Sequence, residues 1–194
     1  MWNKKNINEW YSNHKWLVGC NYLPSTAINQ LEMFQEDNFD PETNNKEIGW
    51  ANDIGFNSLR IYLHDLLWQD KENFKNRLNK ILILCSDHSI KPILVLFDDC
   101  HRPFPKLGKQ PLPVRGVHNS GWKQSPGHEI VREIVKGNKE EEARLKLFTQ
   151  EILEDFREDE RILMWDLYNE PGQFGIGDES NTLLIKVWDW AFEV

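Results

Sequence analysis

The stretch "RILMWDLYNEPG", residues 161–172, decides how this chain is read. Residues 162–168 are apolar, aromatic or β-prone, the pattern of a buried strand. The run then stops at Asn169, Glu170, Pro171 and Gly172, so a hydrophobic strand ends by delivering an amide and a carboxylate into a turn. A Glu after a strand is ordinarily a solvated turn residue. Here Asn169 precedes it and Pro171 restricts the backbone, which marks Glu170 as a candidate functional carboxylate.

Three further runs match this strand: "WLVGCNYL" (16–23), "FNSLRIYL" (56–63) and "KPILVLF" (91–97). They are apolar at nearly every position, which suits strands covered on both faces of a parallel sheet. The segments between them have helical spacing. Phe74, Leu78, Ile81, Leu82 and Cys85 share a stripe within 71–88. Leu145, Phe148, Ile152 and Phe156 do so within 140–158, and Leu184, Val187, Trp188, Ala191 and Phe192 within 181–194. A shorter helix at 44–54 precedes Gly55, a C-terminal stop. The order β-α-β-α-β-α-β-α predicts a parallel α/β architecture in a single domain over 1–194. Residues 24–43 and 98–136 are too long for turns. Long ordered loops after strands are where parallel α/β proteins bind ligands.

The net charge of −8 argues against a nucleic-acid partner, which needs clustered Lys and Arg. No apolar run approaches the length of a membrane span, the longest being "KILILC", and "MWNKKNINEW" is not a signal peptide. Cys20, Cys85 and Cys100 are odd in number and widely spaced, which indicates neither a disulfide framework nor a zinc site. These features lead to the expectation of a cytoplasmic or otherwise soluble protein without a cofactor. The 9 Trp are expected to serve either as core side chains or as platforms that stack on sugar rings.

Other polar residues fall at the same strand ends. Asp98, Asp99 and His101 follow the third strand, and they are either capping residues or ligand contacts. "GVHNSGW" (116–122) puts His118, Asn119 and Trp122 on the long loop, where polar forks and an aromatic platform would suit a sugar. Asn21 and Tyr22 end the first strand, His64 and Asp65 the second. His64, His101, His118 and Asp98 lack the i,i+4 or HxH spacing of a local metal site, so no metal is expected. "KEEEAR" (139–144) is read as a solvated helix start, with Glu favoured by the helix dipole.

"LYNEP" at the end of the fourth strand resembles the acid/base signature of the clan A glycoside hydrolases. "GWANDIGFNSLRIYLHD" (49–65) resembles the matching helix and strand of that clan, in particular the family 5-like cellulases, mannanases and xylanases. The resemblance runs from about Trp16 onward. It implies a (β/α)8, TIM-type barrel and retaining hydrolysis of β-linked oligo- or polysaccharides. It also implies Glu170 as general acid/base, Asn169 as ligand of the 2-hydroxyl, and Arg60 as support for the nucleophile. Tyr22, Asp98, Asp99, His101, His118 and Trp122 are then candidate substrate contacts.

Retaining chemistry needs a second carboxylate about 5 Å from the first. The family places it on the seventh strand, whereas only four strands are legible here. Such a barrel takes ~250 residues, and "LLIKVWDWAFEV" carries no Gly or Pro stop. The expectation is therefore four βα units forming the N-terminal half of a barrel, with open sheet edges prone to self-association. A non-catalytic carbohydrate-binding or pseudoenzyme half-barrel is the alternative, and a metal-dependent hydrolase on the same fold the third.

Overall fold

The strand β3 (Lys91–Asp98) is the axis of the molecule. Leu94, Leu96 and Phe97 are fully buried in it, as a near-continuous apolar run in a parallel sheet should be. A computed structural model describes residues 3–194. It shows an α/β chain whose four strands form one all-parallel sheet in the order β1-β2-β3-β4. The remaining strands are β1 (Gly19–Asn21), β2 (Ser58–Tyr62) and β4 (Met164–Asn169). All four fall inside or within a residue of the runs expected, but β1 is far shorter than 16–23. Gly19 lies so close to β2 that a Cβ there would collide with the Ser58 carbonyl oxygen, so the glycine permits the pairing.

Three helices sit where their apolar stripes put them: α3 (Pro41–Asp53), α4 (Lys71–Asp87) and α6 (Lys139–Phe156). Two more are short: α2 (Gln30–Phe34), inside the first long connection, and α5 (His128–Val135), inside the second. Segment 98–136 is thus a loop only up to Gly127, and α5 buries Val131 and Ile134. The N-terminal α1 (Lys4–Ser12) buries no residue. The helix α6 starts on an Asn138 side chain that accepts from the Glu140 and Glu141 N–H groups, with three glutamates in its first turn. That is the dipole-stabilised start expected of "KEEEAR".

The last helix, α7 (Gly177–Phe192), is helical as expected but rotated. It buries Leu183, Val187 and Trp190, while Trp188 and Phe192 are exposed and lie against each other at 5.1 Å. The segment is apolar enough to offer two stripes, and only packing against α5 and α6 selects one. The tryptophans do not concentrate in the core: of the eight described, only Trp68 and Trp190 are buried.

Phenylalanines dominate instead. Edge-to-face or tilted ring contacts run from Phe34 through Phe74, Trp68, Phe148 and Phe97 to Tyr168, at 5.2–6.1 Å. This column ties α2, α4 and α6 to β3 and β4, and such pairs add to the area they bury. The other sheet face is open. Arg60, Ile93, Met164 and Asp166 share register positions on it, and none is buried. The expectation that all strands are covered on both faces therefore fails outside the centre of the sheet. β1 is exposed along its whole length, and β4 is exposed at Met164 and half-buried from Trp165 to Leu167. No helix of the described residues is long and apolar enough to cross a membrane.

Phe148 is the middle of the aromatic column, so Phe148→Ala should lower stability by about 3–5 kcal/mol, read as a urea midpoint shift at unchanged slope. Trp188→Ser should shift it by less than about 0.5 kcal/mol. A larger loss from Trp188→Ser than from Phe148→Ala would mean that α7 packs by its other face.

Candidate functional site

Parallel strands bring their C-terminal ends to one side, where Asp98 and Asn169 end β3 and β4 side by side and the Arg60 side chain reaches Asn169 from the middle of β2. Arg60 donates through Nη2 to Asn169 Oδ1 (2.8 Å) and to Asp166 Oδ2, and through Nη1 to the Tyr62 hydroxyl (2.7 Å). Asn169 donates in turn through Nδ2 to Asp98 Oδ1 at 2.6 Å. A guanidinium can only donate and a carboxylate can only accept, so these two neighbours dictate which way the amide faces. Asp98 Oδ2 takes the His101 Nδ1 at 2.6 Å. The His101 ring lies on Trp122 at 4.8 Å, Trp122 meets Tyr62 edge-to-face at 5.1 Å, and Arg60 covers the Tyr62 ring at 5.0 Å. Six side chains from three strands and one loop thereby close a circuit: Arg60, Asn169, Asp98, His101, Trp122 and Tyr62.

The circuit sets the electrostatics of the site. Burial works against the Arg60 cation, but the hydrogen bond to Asp166 and the nearby negative charges outweigh it and raise its pKa. Burial likewise raises the Tyr62 phenol, although Arg60 opposes the shift. Asp166 and Asn169 are three residues apart, an odd spacing that a regular strand sends to opposite faces. Both nonetheless accept from Arg60, so the end of β4 departs from simple alternation.

Glu170 follows at once, and its backbone lies in the left-handed region at φ 45°. This costs an L-residue roughly 1–2 kcal/mol and persists only where the surroundings impose it. Asp99 imposes it. Its buried carboxylate accepts from the Gly172 N–H (2.9 Å), Ser180 Oγ (2.5 Å) and the Tyr168 hydroxyl (2.9 Å). Burial still outweighs these bonds and raises the Asp99 pKa. Glu170 itself is exposed, accepting a long bond from Gln173 Nε2 at 3.3 Å and a side-chain bond from Cys100. The burial of Glu170 that acid catalysis would use is not supplied by this chain. Cys100 lies beside it: burial, and then the Glu170 carboxylate, push the thiol up to about 11.

The two long loops do gather on this side. Asn29 Nδ2 donates to the Gly121 carbonyl at 2.9 Å, and the Ser125 and Asp98 backbones exchange bonds of 2.7 and 3.0 Å. Trp122 is partly exposed and faces the strand ends, where a platform was expected.

Three candidates lie elsewhere. Tyr22 is buried with its hydroxyl on Asn44 of α3 (2.9 Å), so it packs the helix layer even though its N–H bonds the Arg60 carbonyl. Asp99 faces α7 and holds the turn. His118 is exposed and meets no member of the circuit among the described residues. His64 also stays apart, its Nδ1 3.0 Å from Asp65. No group of three or more His, Cys, Asp or Glu among the described residues could hold a metal ion.

Tyr62 and Asp166 escaped the sequence reading. The signal for Tyr62 was its spacing of two from Arg60, which puts both on one strand face. Asp166 gave none until β4 was in register with Val95. The anchor role of Asp65 was equally hidden. It accepts from Ser125 Oγ (3.0 Å) and Arg144 Nη1 (2.6 Å), fixing the loop and α6 to the end of β2. Comparison with protein-family models gives no match, and comparison with curated proteins gives none either.

Burial would raise the Asp65 pKa, but His64 and Arg144 outweigh it and hold the carboxyl well below its usual value. A depressed folded pKa stabilises above the unfolded value of about 3.9 and is lost as pH falls below it. Asp65→Asn should therefore destabilise by about 3 kcal/mol at pH 7 and flatten the acid limb of the stability curve. An unchanged acid limb in the variant would assign that limb to other carboxylates.

Proposed function

We propose that this chain is the acid/base half of a retaining β-glycoside hydrolase built on a (β/α)8 barrel, with Glu170 as general acid/base. One observation carries this reading: Asn169 is clamped between Arg60 and Asp98 while the next residue is forced outward in a strained backbone. Strain of that kind points to a carboxylate required in one place rather than merely tolerated there. The clamp uses one N–H of the Asn169 amide and one oxygen lone pair. The second N–H remains free for a sugar hydroxyl beside the bond to be cleaved.

In this scheme Glu170 protonates the leaving oxygen, and later takes a proton from the water that releases the sugar. Trp122 offers a flat face to a ring, and His101 is held by Asp98 through one nitrogen so that the other can meet a hydroxyl. Asp98 in the circuit and Asp166 beside it are both committed, Asp166 to Arg60 and Asp98 to Asn169 and His101. The nucleophile is therefore assigned to a further strand. The open edges of β1 and β4 and the uncovered sheet face support this, since a closed barrel leaves no such edge. Further strands would also enclose Glu170, which is exposed in this chain. The exposure of Glu170 in this chain favours one rival, a carbohydrate-binding half-barrel without turnover.

An acid alone contributes ~10²–10⁴-fold, well short of enzymatic acceleration. The 194-residue chain should thus release no measurable aglycone from an aryl β-glycoside, and should self-associate through its edges in light scattering. Four complementing βα units should restore turnover, and Glu170→Gln should reduce it at least a hundredfold. Turnover by the chain alone would place the nucleophile within it. Glycan binding by the complemented barrel without turnover would leave the non-catalytic reading.

A further inference from the structure

Residues 100–127, which follow Asp99 in the connection from β3 to α5, differ in charge from the rest of the chain. They carry Arg102, Lys106, Lys109, Arg115 and Lys123 and no Asp or Glu. The segment is thus +5 against −13 for the remainder, which together give the chain's −8. None of these five cations meets a carboxylate among the described residues. Elsewhere Lys71, Lys75, Arg77 and Arg144 do, whereas Lys80, Lys91 and Arg132 do not among the described residues, so the segment stands out by its lack of any acidic residue. Four of the five are exposed, and Lys123 is half-buried, donating to the Pro103 carbonyl at 3.3 Å.

The segment is held in place. Arg102 and Lys123 form a β-bridge on either side of the Trp122–His101 stack, and the Arg102 N–H donates to the Trp122 carbonyl at 3.1 Å. The Gly108 carbonyl accepts from Gln35 at 3.1 Å. Unpaired cations on a pinned backbone raise the local concentration of anions along the loop that carries His101 and Trp122, in a chain whose body repels them. Phe104, exposed on the same segment, adds a second aromatic face beyond Trp122. A neutral glycan gains nothing from five such charges. Carboxylates spaced along a sugar chain would pair with them while its rings lie on the aromatic faces.

From this we infer that residues 102–123 form a cationic rim, and that the glycan class is an acidic one bearing uronic-acid groups. The inference rests on reading the Glu170 site as a glycan site. The test uses the full 194-residue chain and a β-xylan with uronic-acid side groups, set against the same polymer after reduction of its carboxyls to alcohols. Binding is measured by affinity electrophoresis and calorimetry. The acidic polymer should bind roughly tenfold tighter at low salt, as expected for a few exposed charge pairs. The difference should vanish near ~0.5 M salt, where such pairs are screened. The K106E/K109E/R115E variant should abolish the preference, and the neutral K106Q/K109Q/R115Q variant should reduce it, each with an unchanged circular-dichroism spectrum. Glu170→Gln should leave it intact. Equal affinity for the two polymers, or binding to neither, overturns the proposal. Equally tight binding of polyglutamate also overturns it, in favour of an acidic protein partner. A persistent preference combined with unimpaired turnover of Glu170→Gln in the barrel complemented by four further βα units would instead overturn the catalytic role while the rim stands.

Discussion

The Asn169 amide lies between a cation that can only donate and an anion that can only accept, and the rest of the site depends on that placement. Arg60 from β2 and Asp98 from β3 each bond one end of it, so three strands are locked together by a single side chain. Neither neighbour could turn the amide over without leaving two like groups face to face. The backbone that follows inherits this fixed origin. Glu170 leaves the sheet at a defined point, and Gly172 completes the turn with a positive φ of its own.

Buried carboxylates work around the site in pairs of opposite character. Asp98 faces the circuit and Asp99, its neighbour in sequence, faces the helices, so one turn serves both the open side and the packing layer. Asp65 and Asp99 are both deeply buried, yet their pKa values move in opposite directions. His64 and Arg144 face Asp65 and hold its carboxyl down, whereas Asp99 has only dipolar donors and the repulsion of Asp98. The first anchors the long loop and α6. The second anchors the turn that strains Glu170.

The sheet is finished on one side and unfinished on the other. Its helix-facing side holds the aromatic column, and its opposite side keeps Arg60 and Asp166 about a quarter exposed. A cation–carboxylate pair left half in water has little stabilising value by itself. Its value here is geometric, because it orders the strand ends without an apolar layer above them. The same open side is flanked by a loop whose charge opposes that of the body, so the polar face, the aromatic platform and the cationic segment adjoin one another.

Local chemistry sufficed for the strands, for the apolar stripes of α4 and α6, and for the turn at Asn169 and Glu170. Periodicity, Gly and Pro punctuation and side-chain polarity are properties of neighbours along the chain. The same holds for Asp98 as a strand-end residue, whereas Arg60 stands in the middle of β2 and was marked by the resemblance. The orientation of each side chain was not legible there. Tyr22 and Asp99 occupy the same kind of position as Asp98, and only the helices packed behind them turned both inward. Two apolar stripes compete in α7, and contact with α5 and α6 chose between them. Asp166 joined the site through register, a relation between strands 106 residues apart in the Arg60–Asp166 pair. Sequence thus determined which segments become strands and helices and which polar residues reach the strand ends. Tertiary structure decided which of those residues face one another, because register and packing depend on partners distant along the chain.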